Sequence, residues 1–196
     1  MKIEFLEIDD PRQEAAKDHI RKVYYDTYGA HVTTFAPLLV TVTNQDGQLV
    51  CVGGIRTATD GFFSDTYLDT GLSTAVCALD GTNTPASQIM EVVSVASTTP
   101  FPVLPMFDAI LSWGREQGMT CGVFTITKPL RKLLKRTGLH FKELCFAVAA
   151  RVDNPENWGT YYQTEPVVCV INEAMYVPDH LSPRNNGMNQ KHADAV

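Results

Sequence analysis

No apolar run in the 196-residue sequence approaches the ~18 residues needed to span a bilayer. The opening stretch MKIEFLEIDD carries acids where an export signal needs an apolar core. The chain is therefore expected to be cytoplasmic, with no stable membrane insertion and with its first strand in that opening stretch. Its five cysteines (Cys51, Cys77, Cys121, Cys145, Cys169) contain no CxxC spacing and are odd in number. That excludes a disulfide framework and leaves no visible metal site, so they read as small core residues. A net charge of −6 disfavours nucleic acid as a general partner. Two local absences matter more. STTPFPVLPM (97–106) has no glycine and three prolines, and the span from Lys128 to Lys142 has six basic residues and no acid.

What is present fits one folded domain, at roughly 150 residues per domain. Hydrophobic residues make up 44% and charged residues 19%, which excludes general disorder. Residues 1–177 are expected to form that domain. Residues 178–196 are polar and aperiodic and read as a flexible tail. RQEAAKDHIRKVYYDTYG (12–29) keeps helical spacing until Gly29. Two β-branched runs, 35–44 and 48–59, flank the turn NQDG and predict a hairpin. Residues 63–79 read as a helix weakened by Gly71, and Gln88–Ala96 as a strand. A proline-bearing loop follows, then a helix over 106–118 and a strand over 120–127. A helix over 128–138 and strands over 141–152 and 166–172 complete the pattern.

The segment from VVSVAS through PMFDAILSWGREQGMTCGVFTITKPLRKLLKRTGLHF resembles the centre of the GNAT (N-acetyltransferase-like) fold. Within that superfamily the sequence is similar to the thermostable haemolysin family. The blocks that carry the likeness are VYYDTYGAHVTTFAPLLV, FFSDTYLD, EVVSVAS, VFTITKPLRKLLKRTGL and WGTYYQTEP, roughly residues 20–172. A weaker likeness to acyl-homoserine-lactone synthases lies in GIRTATDGFFSD and EVVS, where Arg56 and Glu91 match and Ser94 replaces an arginine. That replacement removes a bidentate clamp and argues against homoserine-lactone chemistry. The resemblance implies an α/β fold: a mixed, mostly antiparallel GNAT-like central sheet with a splayed parallel strand pair and helices on both faces.

Glu91 sits in an apolar strand, where a charge is costly unless paired or used. On the GNAT reading it is the general base for an amine, its proton affinity raised by burial. The alternative makes it a structural partner of Arg56 or of a backbone amide. The splay would expose backbone near Val93 and Val95 to a thioester carbonyl. Each proline in the following loop removes an N–H, so pyrophosphate binding should be poor. Ser97, Thr98 and Thr99 could receive a single phosphate of a phosphopantetheine arm, or simply cap a turn. Lys128, Arg131, Lys132, Lys135 and Arg136 would dock an acidic acyl carrier protein, or form a solvated face. Leu134 stands where the family's acid tyrosine is expected.

On the acceptor side the resemblance points to Arg56, Asp65, Tyr67 and Ser94. Trp158, Tyr161 and Tyr162 could line a pocket or pack as core. The expected function is an N-acyltransferase using an acyl-phosphopantetheine thioester as co-substrate, acyl carrier protein before acyl-CoA, and a small-molecule amine as acceptor. No cofactor is expected to be permanently bound. A membrane-active, haemolysin-like protein and a catalytically inactive binding module are the alternatives.

Overall fold

In the computed structural model, residues 1–81 and 83–172 are described. The boundary expected at residue 177 and the tail after it lie outside them. Seven strands form one sheet: β1 (Lys2–Leu6), β2 (Leu38–Thr43), β3 (Leu49–Thr57), β4 (Ile89–Ser97), β5 (Cys121–Ile126), β6 (Lys142–Phe146) and β7 (Val167–Asn172). Their order in space is β1-β2-β3-β4-β5-β7-β6. Only β4 and β5 run parallel; every other neighbouring pair is antiparallel. This is the α/β, mostly antiparallel GNAT-like sheet that the sequence predicts.

Alternation along the strands gives the sheet two apolar faces. Ile20 and Tyr24 of α1 (Gln13–Tyr28) pack on Leu39 and Val52. Leu72 and Val76 of α2 (Leu72–Asp80) cover Ile89, Val123 and Val168 further along that face. On the other face, α3 (Val103–Glu116) and α4 (Lys128–Arg136) bury Met106, Ile110 and Leu134 against Val40, Met90 and Phe124.

Three expectations need correction. The helix expected over 63–79 is two elements, a 3-10 turn at Phe63–Tyr67 and α2. Gly71 takes an extended conformation between them (φ −58°, ψ 154°), and Asp65 Oδ1 accepts the Leu72 amide at 2.7 Å, satisfying an orphan donor of α2. The proline loop is also shorter than expected, because α3 already begins at Val103. First-turn amides need no intrahelical acceptor, so Pro105 fits there. Strand β6 stops at Phe146; the chain to Pro166 winds through three short 3-10 turns before β7, which slots between β5 and β6.

Candidate functional site

Strand β4 pairs with β5 only from Ile89↔Cys121 to Val92↔Phe124. Beyond Val92 the edge of β4 facing β5 has no strand partner. On its other side β4 carries a bulge: Val93 opposes Gly54 and Ala96 opposes Val52, leaving Ser94 and Val95 against Gly53 alone. Ser94 is left-handed, with φ 53°. A bulge of this kind bends and twists its strand, which turns β4 away from β5.

A cavity of about 310 Å³ opens at this divergence. Val93, Ser94 and Thr125 line it, as do Phe63, Thr66 and Tyr67. Residues of the segments 31–36 and 151–161 also line it, and these two segments are stitched together. The His31 amide donates to the Asn157 carbonyl at 2.6 Å, and the Thr160 amide to the Tyr28 carbonyl at 2.8 Å. Gly159 (φ 51°) passes so close to α1 that an added Cβ would lie 2.0 Å from the Tyr28 oxygen. Only glycine fits there.

Of the residues singled out from sequence, Arg56, Tyr67, Val93, Ser94, Trp158 and Tyr161 line this cavity. Arg56 is anchored by Nε to the Gly61 carbonyl (2.8 Å) and Nη2 to the Asp60 carbonyl (2.7 Å). Tyr162 lies just behind, its hydroxyl 2.8 Å from that of Tyr67. Burial pushes the phenols of Tyr67, Tyr161 and Tyr162 up, so all three are neutral at neutral pH.

Glu91 is fully buried and stands behind the cavity wall, not on it. Oε2 accepts the Phe63 amide at 2.6 Å; Oε1 accepts the Ser64 amide at 2.8 Å and the Ser64 hydroxyl at 2.5 Å. Of the two structural partners considered for it, the backbone amides are realised and an Arg56 ion pair is not. Burial raises its proton affinity above the ordinary value of 4.5, while the Ser64 hydroxyl and the two amides pull the other way.

The other residues lie apart from the cavity. Asp65 is spent on capping α2, with its carboxylate turned outward. Val95 packs on the α3 side of the sheet. Ser97 and Thr98 turn their hydroxyls to the Val50 carbonyl at 3.3 Å, and Ser97 also reaches the Thr99 carbonyl at 2.6 Å, so these three form a closed turn and not a preformed phosphate cradle. The acid-free stretch acquires acids on folding. Lys128 pairs with Glu165 (2.6 Å), and Lys135 (2.8 Å) and Arg131 (3.4 Å) share Glu143. Lys132 and Arg136 have no ion pair among the described residues.

Sequence reasoning passed over Ser64, Thr125 and Arg151. Thr125 carried a faint signal, a hydroxyl in the otherwise apolar run CGVFTI. Arg151 carried none, since its place on the cavity rim depends on how 147–166 folds back.

A family model described as thermostable hemolysin matches residues 6–176. The chain belongs to the thermostable hemolysin family. No curated protein matches the sequence. Among solved structures, the chain resembles FeeM, an N-acyl amino acid synthase from uncultured soil microbes, at 14% identity and TM-score 0.61, over 88% of this chain and 95% of that one. It resembles BjaI, a CoA-dependent acyl-homoserine lactone synthase with SAM and isopentyl-CoA, at 12% identity and TM-score 0.56, over 87% and 82%. A putative N-acetyltransferase from Lactobacillus plantarum matches at 12% identity and TM-score 0.54, over 86% and 94%. At such identities the likeness shows the N-acetyltransferase-like fold.

Proposed function

We propose that this thermostable hemolysin family member is an N-acyltransferase that moves an acyl group from a thioester to the amine of a small molecule. The observation that carries this reading is the divergence of β4 from β5 beyond Val92, opening into a cavity beside a buried carboxylate. The freed edge of β4 supplies polar backbone for a thioester carbonyl whose charge grows as the amine attacks. Solved structures of this fold named for acyl transfer to an amino acid, and for use of an acyl-CoA, support it.

On the acceptor side, Arg56 lines the cavity, and no hydrogen bond or ion pair engages its Nη1 among the described residues. A half-buried guanidinium in that state suits an anionic group on the acceptor. Trp158, Tyr161 and Tyr67 supply apolar contact for its body. Glu91 is the base. For the donor, acyl carrier protein is favoured over coenzyme A, because Pro102 and Pro105 strip amides from the first turn of α3 and the Val103 amide is spent on the Pro100 carbonyl at 3.3 Å. Exposed Lys132 and Arg136 remain to meet an acidic carrier.

Incubation of the protein with acyl-carrier and acyl-CoA thioesters and a pool of amines, followed by mass spectrometry, tests the reading. Formation of an acylated amine, faster from the carrier, is expected. If neither donor is consumed and neither raises the melting temperature, the reading fails. The family's name favours a second outcome, dye release from liposomes, although no helix among the described residues is long and apolar enough to cross a membrane.

A further inference from the structure

Three side chains on three elements form a line from the cavity to the buried carboxylate. Thr125 belongs to β5 and is the first residue past the last parallel pair, Val92↔Phe124; it lines the cavity. Its Oγ1 lies 3.4 Å from Ser64 Oγ, which lies 2.5 Å from Glu91 Oε1. Ser64 and Glu91 are both fully buried.

With Glu91 ionised, the donor direction along this line follows from its partners. An ionised carboxylate only accepts. Glu91 already holds two backbone amides, and an amide cannot reverse its role. The Ser64 proton is therefore committed to Glu91, leaving Ser64 Oγ as an acceptor. In that state Thr125 is the donor in its contact with Ser64, which leaves its own Oγ1 lone pairs as acceptors.

We infer that Thr125 receives the proton of the acceptor amine and that Ser64 passes it to Glu91. This rests on the acyltransferase reading above. As the amine nitrogen bonds to the thioester carbonyl carbon, its proton moves to Thr125 Oγ1. The Thr125 proton moves to Ser64 Oγ and the Ser64 proton to Glu91 Oε1. The C–S bond breaks, and its electron pair leaves on sulfur as a thiolate. That thiolate takes a proton from water at the cavity mouth, and the proton on Glu91 returns along the same line to the hydroxide left behind. The 3.4 Å link is long, as catalytic hydrogen bonds commonly are before substrate is seated. Thr125 is thus a catalytic residue, and Ser64 one that acts through it.

The test compares Thr125→Val, which keeps the shape and loses the hydroxyl, with Thr125→Ser, which keeps the hydroxyl. Ser64→Ala is measured alongside. Single-turnover acyl transfer by the full chain is followed from pH 5 to 9, with donor affinity and melting temperature as controls, the range bracketing a raised carboxylate. Thr125→Val and Ser64→Ala are expected to slow transfer by about 10²-fold. Thr125→Ser should stay within a few-fold of the wild type, with donor affinity unchanged throughout. The rise in rate with pH that Glu91 contributes should be absent from Thr125→Val. Wild-type activity that Thr125→Val leaves intact overturns the inference alone, and so does a Thr125→Ser variant as slow as Thr125→Val, which would mark a packing role. A wild type that acylates no amine from either donor overturns the inference together with the reading beneath it. Should Ser64→Ala fail to fold, the two Thr125 variants still decide.

Discussion

The two halves of β4 share a strand and little else. The strand pairs with β5 from Ile89 to Val92 and with β3 from Met90 onward, and Ile89 is fully buried against Val123 and Val168. From Val93 to Ser97 it is paired on one side only, kinked by a left-handed serine and open to a cavity. The first half is occupied with holding the sheet together, and the second has backbone to spare for a ligand. Glu91 stands in the closed half, one residue before pairing ends. Its amide partners at Phe63 and Ser64 reach across to the cavity wall, so the carboxylate is structural in location and can act only through neighbours.

The most damaging way to test this division is to hollow out the closed half. Ile89→Ala leaves a cavity under α2 and is expected to cost about 2–5 kcal/mol in chemical denaturation. Acyl transfer per folded molecule should be unchanged, because Ile89 does not line the cavity. A fall in that per-molecule rate would mean the two halves are coupled and the division is wrong.

A smaller effect is expected at the boundary. In Glu91→Gln the side-chain NH₂ faces a backbone amide, leaving a buried donor unmatched at a cost of about 1–3 kcal/mol. Acyl transfer should fall by about 10²-fold or more if proton removal limits the rate. The pH dependence has a definite sign. The folded-state proton affinity of Glu91 is raised by burial, so the fold favours the protonated form. Its contribution to stability is present below the ordinary value of 4.5 and is lost as pH rises through the higher folded-state value. The stability advantage of wild type over Glu91→Gln should therefore shrink as pH increases across that window. A constant difference would show that Glu91 does not titrate above the usual carboxylate range.

The closed half was the legible one. Runs such as IMEVV and CGVFTI declare strands by β-branching and length, and Gly29 declares the end of α1 by its left-handed turn (φ 68°). The single odd letter, Glu91, lies one residue before the parallel pairing ends, and six of the residues singled out from the sequence line the cavity. What could not be read came from contacts distant in sequence. Glu143 and Glu165 neutralise part of a helix that looks purely basic on its own. The segment 147–166 lines the cavity through contacts such as Gly159 against Tyr28 and Asn157 against His31, and Thr125 meets Ser64 across 61 residues. Asp65 looked like a ligand and is a cap because Gly71 breaks the helix at the right place.

The smallest expected effect lies in the open half, at the bulge itself. Left-handed backbone costs a residue with a Cβ about 1–2 kcal/mol, and Ser94 bears that cost at φ 53°. Glycine removes the cost but has more freedom to lose on folding, about 0.5–1 kcal/mol. Ser94→Gly should accordingly raise stability by less than about 1 kcal/mol in chemical denaturation. If the bulge is set by its surroundings, with Gly53 and Gly54 offering it room on β3, the variant keeps it and donor affinity stays within a few-fold of wild type. A destabilised variant would mean that the serine side chain holds the bulge in place, and the opening of β4 would then depend on one hydroxyl and not on the mismatch between two strands.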